Sequence, residues 1–232
     1  MAIISEANKK QIQEILKNLV NKVVIHFFTE PDKSDLPTID SSSQDSQREQ
    51  EECASCHLTL ELLQELTNLS DKLELKVYDI LKDQAVAKQF EIDKVPAIVL
   101  EGERIYGIRF FGIPSGYEFA VLLEDLVDVS RGVTDLALET ITQLNTLIRR
   151  IHIQVFTTPT CPYCPIMVRM AHKFALMSER IKADMVSSVE FPQLADKYSV
   201  LAVPKTIVND GLVEIDGALP ENAFLQEVMR AA

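Results

Sequence analysis

Apolar residues follow two patterns along this chain, and both patterns occur twice in the same order. Val23-Val24-Ile25-His26-Phe27-Phe28 and Ile151-His152-Ile153-Gln154-Val155-Phe156 are β-branched and aromatic runs that stop at a Thr-x-Pro turn signal. Such runs predict buried strands. Ahead of the first, Ile12, Ile15, Leu16, Leu19 and Val23 recur at helical spacing behind Ser5, a suitable N-cap. Each strand leads to a Cys-x-x-Cys and then to a helical stripe, Leu62, Leu66 and Leu69 in one case and Val168, Ala171 and Ala175 in the other. The first part continues with a strand over 73–80, a short helix over 85–90, a hairpin of 97–100 and 105–111, and helices over 117–129 and 136–150. The second predicts a strand over 151–156, a helix over 163–179, a strand over 181–187, a helix over 190–198, hairpin strands over 205–208 and 212–216, and a helix over 220–230.

Spacing shows that the recurrence is a duplication. Each Cys-x-x-Cys is followed by a Val-Pro and an apolar run, Val95-Pro96-Ala97-Ile98 and Val203-Pro204-Lys205-Thr206. Pro96 lies 43 positions after Cys53, and Pro204 lies 43 after Cys161. Two unrelated motifs would share no such offset. The copies divide into 1–130 and 131–232, and they differ in one place. Phe28 is 25 positions from Cys53, whereas Phe156 is 5 from Cys161. The excess lies within 31–52, a polar stretch containing Ser41-Ser42-Ser43-Gln44 that has too little apolar surface to offset its ordering entropy. It reads as an inserted loop, either a solvated excursion or a flap over Cys53.

Composition narrows the partners. At 47% hydrophobic, the 232 residues can bury a core. A net charge of −12 repels phosphate backbones and anionic lipid, which argues against nucleic acid and membrane surfaces. No run approaches the roughly 18 apolar residues of a membrane helix, and Met1-Ala2-Ile3-Ile4-Ser5-Glu6 lacks the basic and apolar regions of a secretory signal. The expected location is cytoplasmic, where structural disulfides are disfavoured, so two paired cysteine motifs call for a chemical explanation.

Thiol–disulfide exchange supplies one. It needs a thiolate, a second thiol within reach and access for a partner. A Cys-x-x-Cys at a helix start sets its leading cysteine among unpaired backbone N–H groups at the positive end of the helix dipole, with the second on the same face. Pro162 and Pro165 fall in the first turn, where a missing N–H is harmless. The two sites are not equivalent. Glu51 and Glu52 precede Cys53 and oppose its ionisation, Ala54-Ser55 lacks a rigid proline, and His57 offsets the acids only if protonated. Cys161 follows Pro159-Thr160 with no carboxylate near it in sequence, so it is predicted to be the more acidic and faster thiol. A single Cys₄ zinc site is the alternative use of four cysteines. The 104 residues between the pairs far exceed the ~15–20 of zinc ribbons. His26, His152 and His172 read as packing or surface residues.

Strand, Cys-x-x-Cys, helix and a Val-Pro before a hairpin together resemble the thioredoxin fold. Cys161-Pro162-Tyr163-Cys164 resembles a glutaredoxin active site. Two such units in one chain resemble the protein disulfide oxidoreductases of thermophilic archaea and bacteria. The resemblance implies an α/β fold of two tandem thioredoxin-fold units, each a central four-stranded mixed sheet flanked by helices. It makes Cys161 the nucleophile, Cys164 the resolving thiol and Pro204 a cis-proline beside them, with Cys53, Cys56 and Pro96 in the same roles. Val203 and Val95, before those prolines, would pair with an extended substrate by strand-like hydrogen bonds, and Tyr163 would face the partner. The implied activity is exchange on protein disulfides without a bound cofactor, with electrons from a thioredoxin-reductase-like donor or small thiols. An electron relay serving one partner, such as a peroxiredoxin or a flavin reductase system, is the alternative. A glutathione-dependent glutaredoxin fits less well: Lys94 and Ala202 stand where a threonine usually precedes Val-Pro, and no Gly-Gly-x-x-Asp follows. A binding or chaperone module would leave both motifs unused.

Overall fold

A computed structural model of the chain describes residues 3–30 and 53–232. The segment read as an inserted loop, 31–52, lies outside the described residues. Helix α1 (Glu6–Leu16) starts where Ser5 Oγ accepts the Asn8 N–H at 3.3 Å. The first repeat continues through β1 (Val23–Thr29), α2 (Cys56–Thr67), β2 (Leu73–Asp79), α3 (Gln84–Phe90), β3 (Ala97–Glu101), β4 (Ile105–Phe111) and α4 (Tyr117–Arg131). After α5 (Leu138–Leu144) the second runs through β5 (Ile151–Thr157), α6 (Cys164–Met177), β6 (Ile181–Ser187), α7 (Pro192–Lys197), β7 (Lys205–Val208), β8 (Val213–Asp216) and α8 (Glu221–Met229).

One expected helix is much shorter than its apolar spacing suggested. The pattern over 136–150 becomes α5 and a tight turn. Thr146 Oγ1 donates to the Gln143 carbonyl at 2.7 Å, while its N–H and that of Leu147 bond three residues back. Those local bonds compete with continued helix, and Ile148, which would extend the stripe, is exposed.

All eight strands form one sheet in the order β2-β1-β3-β4-β6-β5-β7-β8. Each repeat supplies a mixed four-stranded half, and the halves join where β4 pairs parallel with β6, Phe110 opposite Met185 and Phe111 opposite Val186. The pairing covers two strands that would otherwise be open edges. It also needs Gly107, since a Cβ there would lie 2.3 Å from the Ile181 carbonyl oxygen.

Period-2 alternation divides the core between the two faces. Ile25, Phe27, Ile98, Phe110, Ile153, Val155 and Met185 face the helical layer that includes α4 and α6, which pack on each other. Phe28, Val99, Phe111, Phe156, Val186 and Ile207 pack on the other face with Ala87 of α3 and Ala195 of α7. At the β4–β6 junction, Arg109 Nε and Nη2 reach the two oxygens of the opposite Asp184 at 2.7 and 2.9 Å, and Arg109 Nη1 donates to the Glu91 carbonyl at 2.9 Å. His152 Nε2 lies 2.6 Å from Asp184 Oδ2. Burial pushes the Asp184 carboxyl up, but Arg109 and His152 outweigh it and hold the group well below the usual carboxylate range. Among the described residues, no helix is long and apolar enough to cross a membrane.

Candidate active site

The sheet brings both Cys-x-x-Cys motifs to one edge. Strand β1 ends beside the start of β3, Phe28 opposite Ala97, and Ala97 stands opposite Phe111 at the end of β4. Parallel pairing carries the same edge through the ends of β6 and β5 to the start of β7, where Phe156 faces Lys205. Cys53 follows β1, Cys161 follows β5, and Pro96 and Pro204 open β3 and β7, so all of them lie along that edge. Four strand steps separate β1 from β5, so the strands that lead to the two sites lie about 19 Å apart across the sheet.

Both pairs are disulfides, Cys53–Cys56 and Cys161–Cys164, each with Cα atoms 5.5 Å apart. In each, the second cysteine is the first residue of a helix, α2 or α6, and the leading cysteine stands just ahead of it. The backbone differs between them. Cys164 N–H donates to Cys161 Sγ at 3.1 Å, a bond that stabilises negative charge on that sulfur. At the first site Cys56 N–H is taken by the Cys53 carbonyl at 3.3 Å, and Cys53 N–H by Glu30 Oε2 at 2.9 Å.

Val95-Pro96 and Val203-Pro204 are both cis. The Val203 carbonyl oxygen is 3.7 Å from Cys161 Sγ, so Val203 and Pro204 stand beside the second pair. Pro96 and Pro204 are buried, Val95 and Val203 half-buried, and Tyr163 is exposed. His57 is exposed, 4.0 Å from Glu61. The other histidines lie away from the sulfurs: His26 meets Glu101 and Tyr78, His152 meets Asp184, and His172 meets Asp125. Among the described residues, no group of three or more His, Cys, Asp or Glu is arranged to hold a metal.

Three carboxylates near this edge carry no mark of it in the sequence. Glu30 is separated from Cys53 by 23 positions, and Glu190 belongs to the other repeat. Glu118 looks in sequence like an ordinary acidic residue in the first turn of a helix. Yet it is only 2% exposed, and its Oε1 has no hydrogen-bond partner. Burial pushes its carboxyl up to about 7. The turn that carries it rests on the second site's approach strand: Tyr117 N–H donates to the Pro159 carbonyl at 3.4 Å, two residues before Cys161.

Comparison with known proteins places this geometry. Residues 151–230 match the model of a thioredoxin domain family. The thioredoxin of Methanocaldococcus jannaschii is 34% identical over 82 residues, covering 35% of this chain and 95% of that protein. The chain belongs to the thioredoxin family. This thioredoxin-family chain is also similar to a solved structure over nearly its whole length. A protein disulfide oxidoreductase from Aeropyrum pernix k1 superposes with a TM-score of 0.82 at 29% identity, over 98% of this chain and 93% of that one. With two disulfide-forming Cys-x-x-Cys pairs on this tandem thioredoxin fold, the protein is a thiol–disulfide oxidoreductase. The F component of alkyl hydroperoxide reductase from Xanthomonas campestris pv. phaseoli is 29% identical over 155 residues, which are 67% of this thioredoxin-family chain but 28% of that relative.

Proposed function

We propose that the protein exchanges disulfides with polypeptide substrates, each copy (1–130 and 131–232) carrying one site, and that Cys161 is the faster nucleophile. The observation that carries the ranking is the Cys164 N–H on Cys161 Sγ, against a Glu30 carboxylate on the backbone of Cys53. In the reductive direction the Cys161 thiolate attacks one sulfur of a substrate disulfide, forming a mixed disulfide and expelling the other sulfur as a thiolate. Cys164, deprotonated, then attacks Cys161 Sγ, closes the 161–164 disulfide and releases the second substrate thiol. The site loses two electrons and the substrate gains them. We assign to Glu118 the proton that Cys164 loses, because its turn is bonded to the Pro159 carbonyl two residues before Cys161, and burial raises its carboxyl to about 7, where it takes and returns protons at neutral pH. Val203 and Val95 would align an extended substrate segment, with Tyr163 against the partner. Small thiols or a thioredoxin-reductase-like donor would restore the dithiols, with no bound cofactor needed.

Insulin-disulfide reduction with dithiothreitol or a reductase tests the activity itself, and no acceleration over the reductant alone would end this reading. Iodoacetamide trapping of the reduced protein at pH 7 tests the ranking, with Cys161 expected to react first. Accessibility favours Cys53, since Cys161 is only 8% exposed. One pKa unit, however, changes the thiolate fraction about tenfold, so ionisation decides the order. Faster labelling of Cys53 would reverse the ranking.

Glu118→Gln is expected to slow exchange at Cys161 about tenfold at pH 7. The same change should stabilise the fold. A carboxyl raised to about 7 resists ionisation in the folded state, so its cost grows as pH rises from the unfolded value near 4.5 through the folded one. Denaturation at pH 5 and pH 8 should show a gain that is less than about 1 kcal/mol at the lower pH and about 1–3 kcal/mol at the higher. A gain equal at both pH values would remove Glu118 from the proton path.

A second reading, an electron relay to a peroxide-reducing partner, is supported by the likeness to the alkyl hydroperoxide reductase component. There both pairs would act in series rather than in parallel.

A further inference from the structure

Ser55 precedes Cys56 at the start of α2, yet its hydroxyl does not cap that helix. It donates instead to Glu190 Oε2, a carboxylate on the loop between β6 and α7 of the other repeat. The same carboxylate accepts the Ile113 N–H at 3.0 Å on Oε1 and 3.2 Å on Oε2. Gly112 makes room for it: at φ +101°, a Cβ there would stand 2.6 Å from Oε1 and 2.5 Å from the Ser187 Cβ. The carboxylate is therefore held on the loop after β4 and against the first active-site tetrapeptide at once. At the second site, Tyr163, which occupies the position matching Ser55, projects outward.

We propose that Glu190 is a positioning residue for the first site, through which the second repeat braces the Cys53–Cys56 turn and disfavours the Cys53 thiolate. The proposal rests on reading Cys53–Cys56 as a working dithiol. The Glu190 charge is not offset by the described surroundings. Glu30 adds a second carboxylate at the Cys53 N–H. His57, on the first turn of α2, is exposed towards Glu61. Lys94, two residues before Pro96, is committed to Asp93 and to the Phe111 ring, 4.0 Å from its centroid. A negative charge near a thiol raises the cost of its ionisation, and a dithiol whose thiolate is poorly stabilised is the stronger reductant. Glu190 thus biases electrons away from Cys53–Cys56 and towards Cys161–Cys164.

The test follows iodoacetamide labelling of Cys53 between pH 6 and pH 9 in reduced protein whose second pair is replaced by serine. Glu190→Gln keeps an oxygen for the Ser55 hydroxyl but removes the charge. It should raise the Cys53 rate at pH 7 roughly three- to tenfold and move the profile to lower pH. Cys161, measured with the first pair replaced by serine, should be unaffected. A residue that merely braces the loop would leave the Cys53 profile in place. Ser55→Ala, which releases the carboxylate from the tetrapeptide, should shift the profile the same way, and it serves as the test if the glutamine variant does not fold. An unmoved Cys53 profile, or an equal shift at Cys161, overturns the proposal. Labelling needs no substrate turnover, so failure to reduce insulin would leave this result standing on its own.

Discussion

Cys161→Ser should reduce insulin-disulfide reduction about tenfold, to the slower rate of Cys53–Cys56, because a serine hydroxyl is not ionised at pH 7 and cannot form the mixed disulfide. Cys53→Ser should leave most of that activity in place when dithiothreitol is the donor, since each pair can then be reloaded directly. The contrast separates parallel sites from a relay. If electrons must enter through Cys53–Cys56, the two variants lose activity equally even with dithiothreitol as donor. The strands leading to the two sites lie about 19 Å apart across the sheet, which favours independent loading in this assay. Equal loss in both variants would exclude the parallel arrangement.

The largest expected effect on stability is at the β4–β6 junction. Arg109→Met would leave the fully buried Asp184 carboxylate with His152 alone and free the Glu91 carbonyl of its donor. Breaking a buried pair from one side costs about 3–5 kcal/mol, which for a chain of this size lowers Tm by roughly 6–20 °C. The stabilisation that Asp184 contributes is present above the ordinary aspartate value, 3.8. It is lost only as pH falls through the far lower folded value, so the difference between wild type and Arg109→Met should shrink in strong acid. Replacing Asp184 as well, as Arg109→Met/Asp184→Leu, should recover part of the loss, because no charge is then left buried. A single variant within about 1 kcal/mol of wild type would mean that β4 and β6 are held by backbone pairing and apolar contact alone.

Much of this architecture is legible because its signals are local. Val23 to Phe28 and Ile151 to Phe156 are strands by composition, Ser5 is a cap by its side chain, and each cysteine pair starts a helix because three residues span its first turn. The equal offset to Pro96 and Pro204 identified the repeat without any knowledge of contacts. Where local chemistry has two readings the pattern overreached, as in 136–150, whose threonines and Asn145 end the helix early. The acids beside Cys53 in sequence, Glu51 and Glu52, lie outside the described residues, while those seen at the site are Glu30 and Glu190.

By its sequence alone, then, this chain is determined to be two copies of one strand-and-helix unit, each with a dithiol motif at a helix start. Only the tertiary structure decided that the copies share one sheet, that Glu118 is buried near the second site, and that Glu190 crosses 135 positions to Ser55. The reason is physical. Turn, cap and periodicity preferences act within a few residues, but a carboxyl's ionisation and a strand's edge partner depend on what long-range packing brings beside them. A lone glutamate in one copy carries no local mark of the active-site turn it will meet in the other.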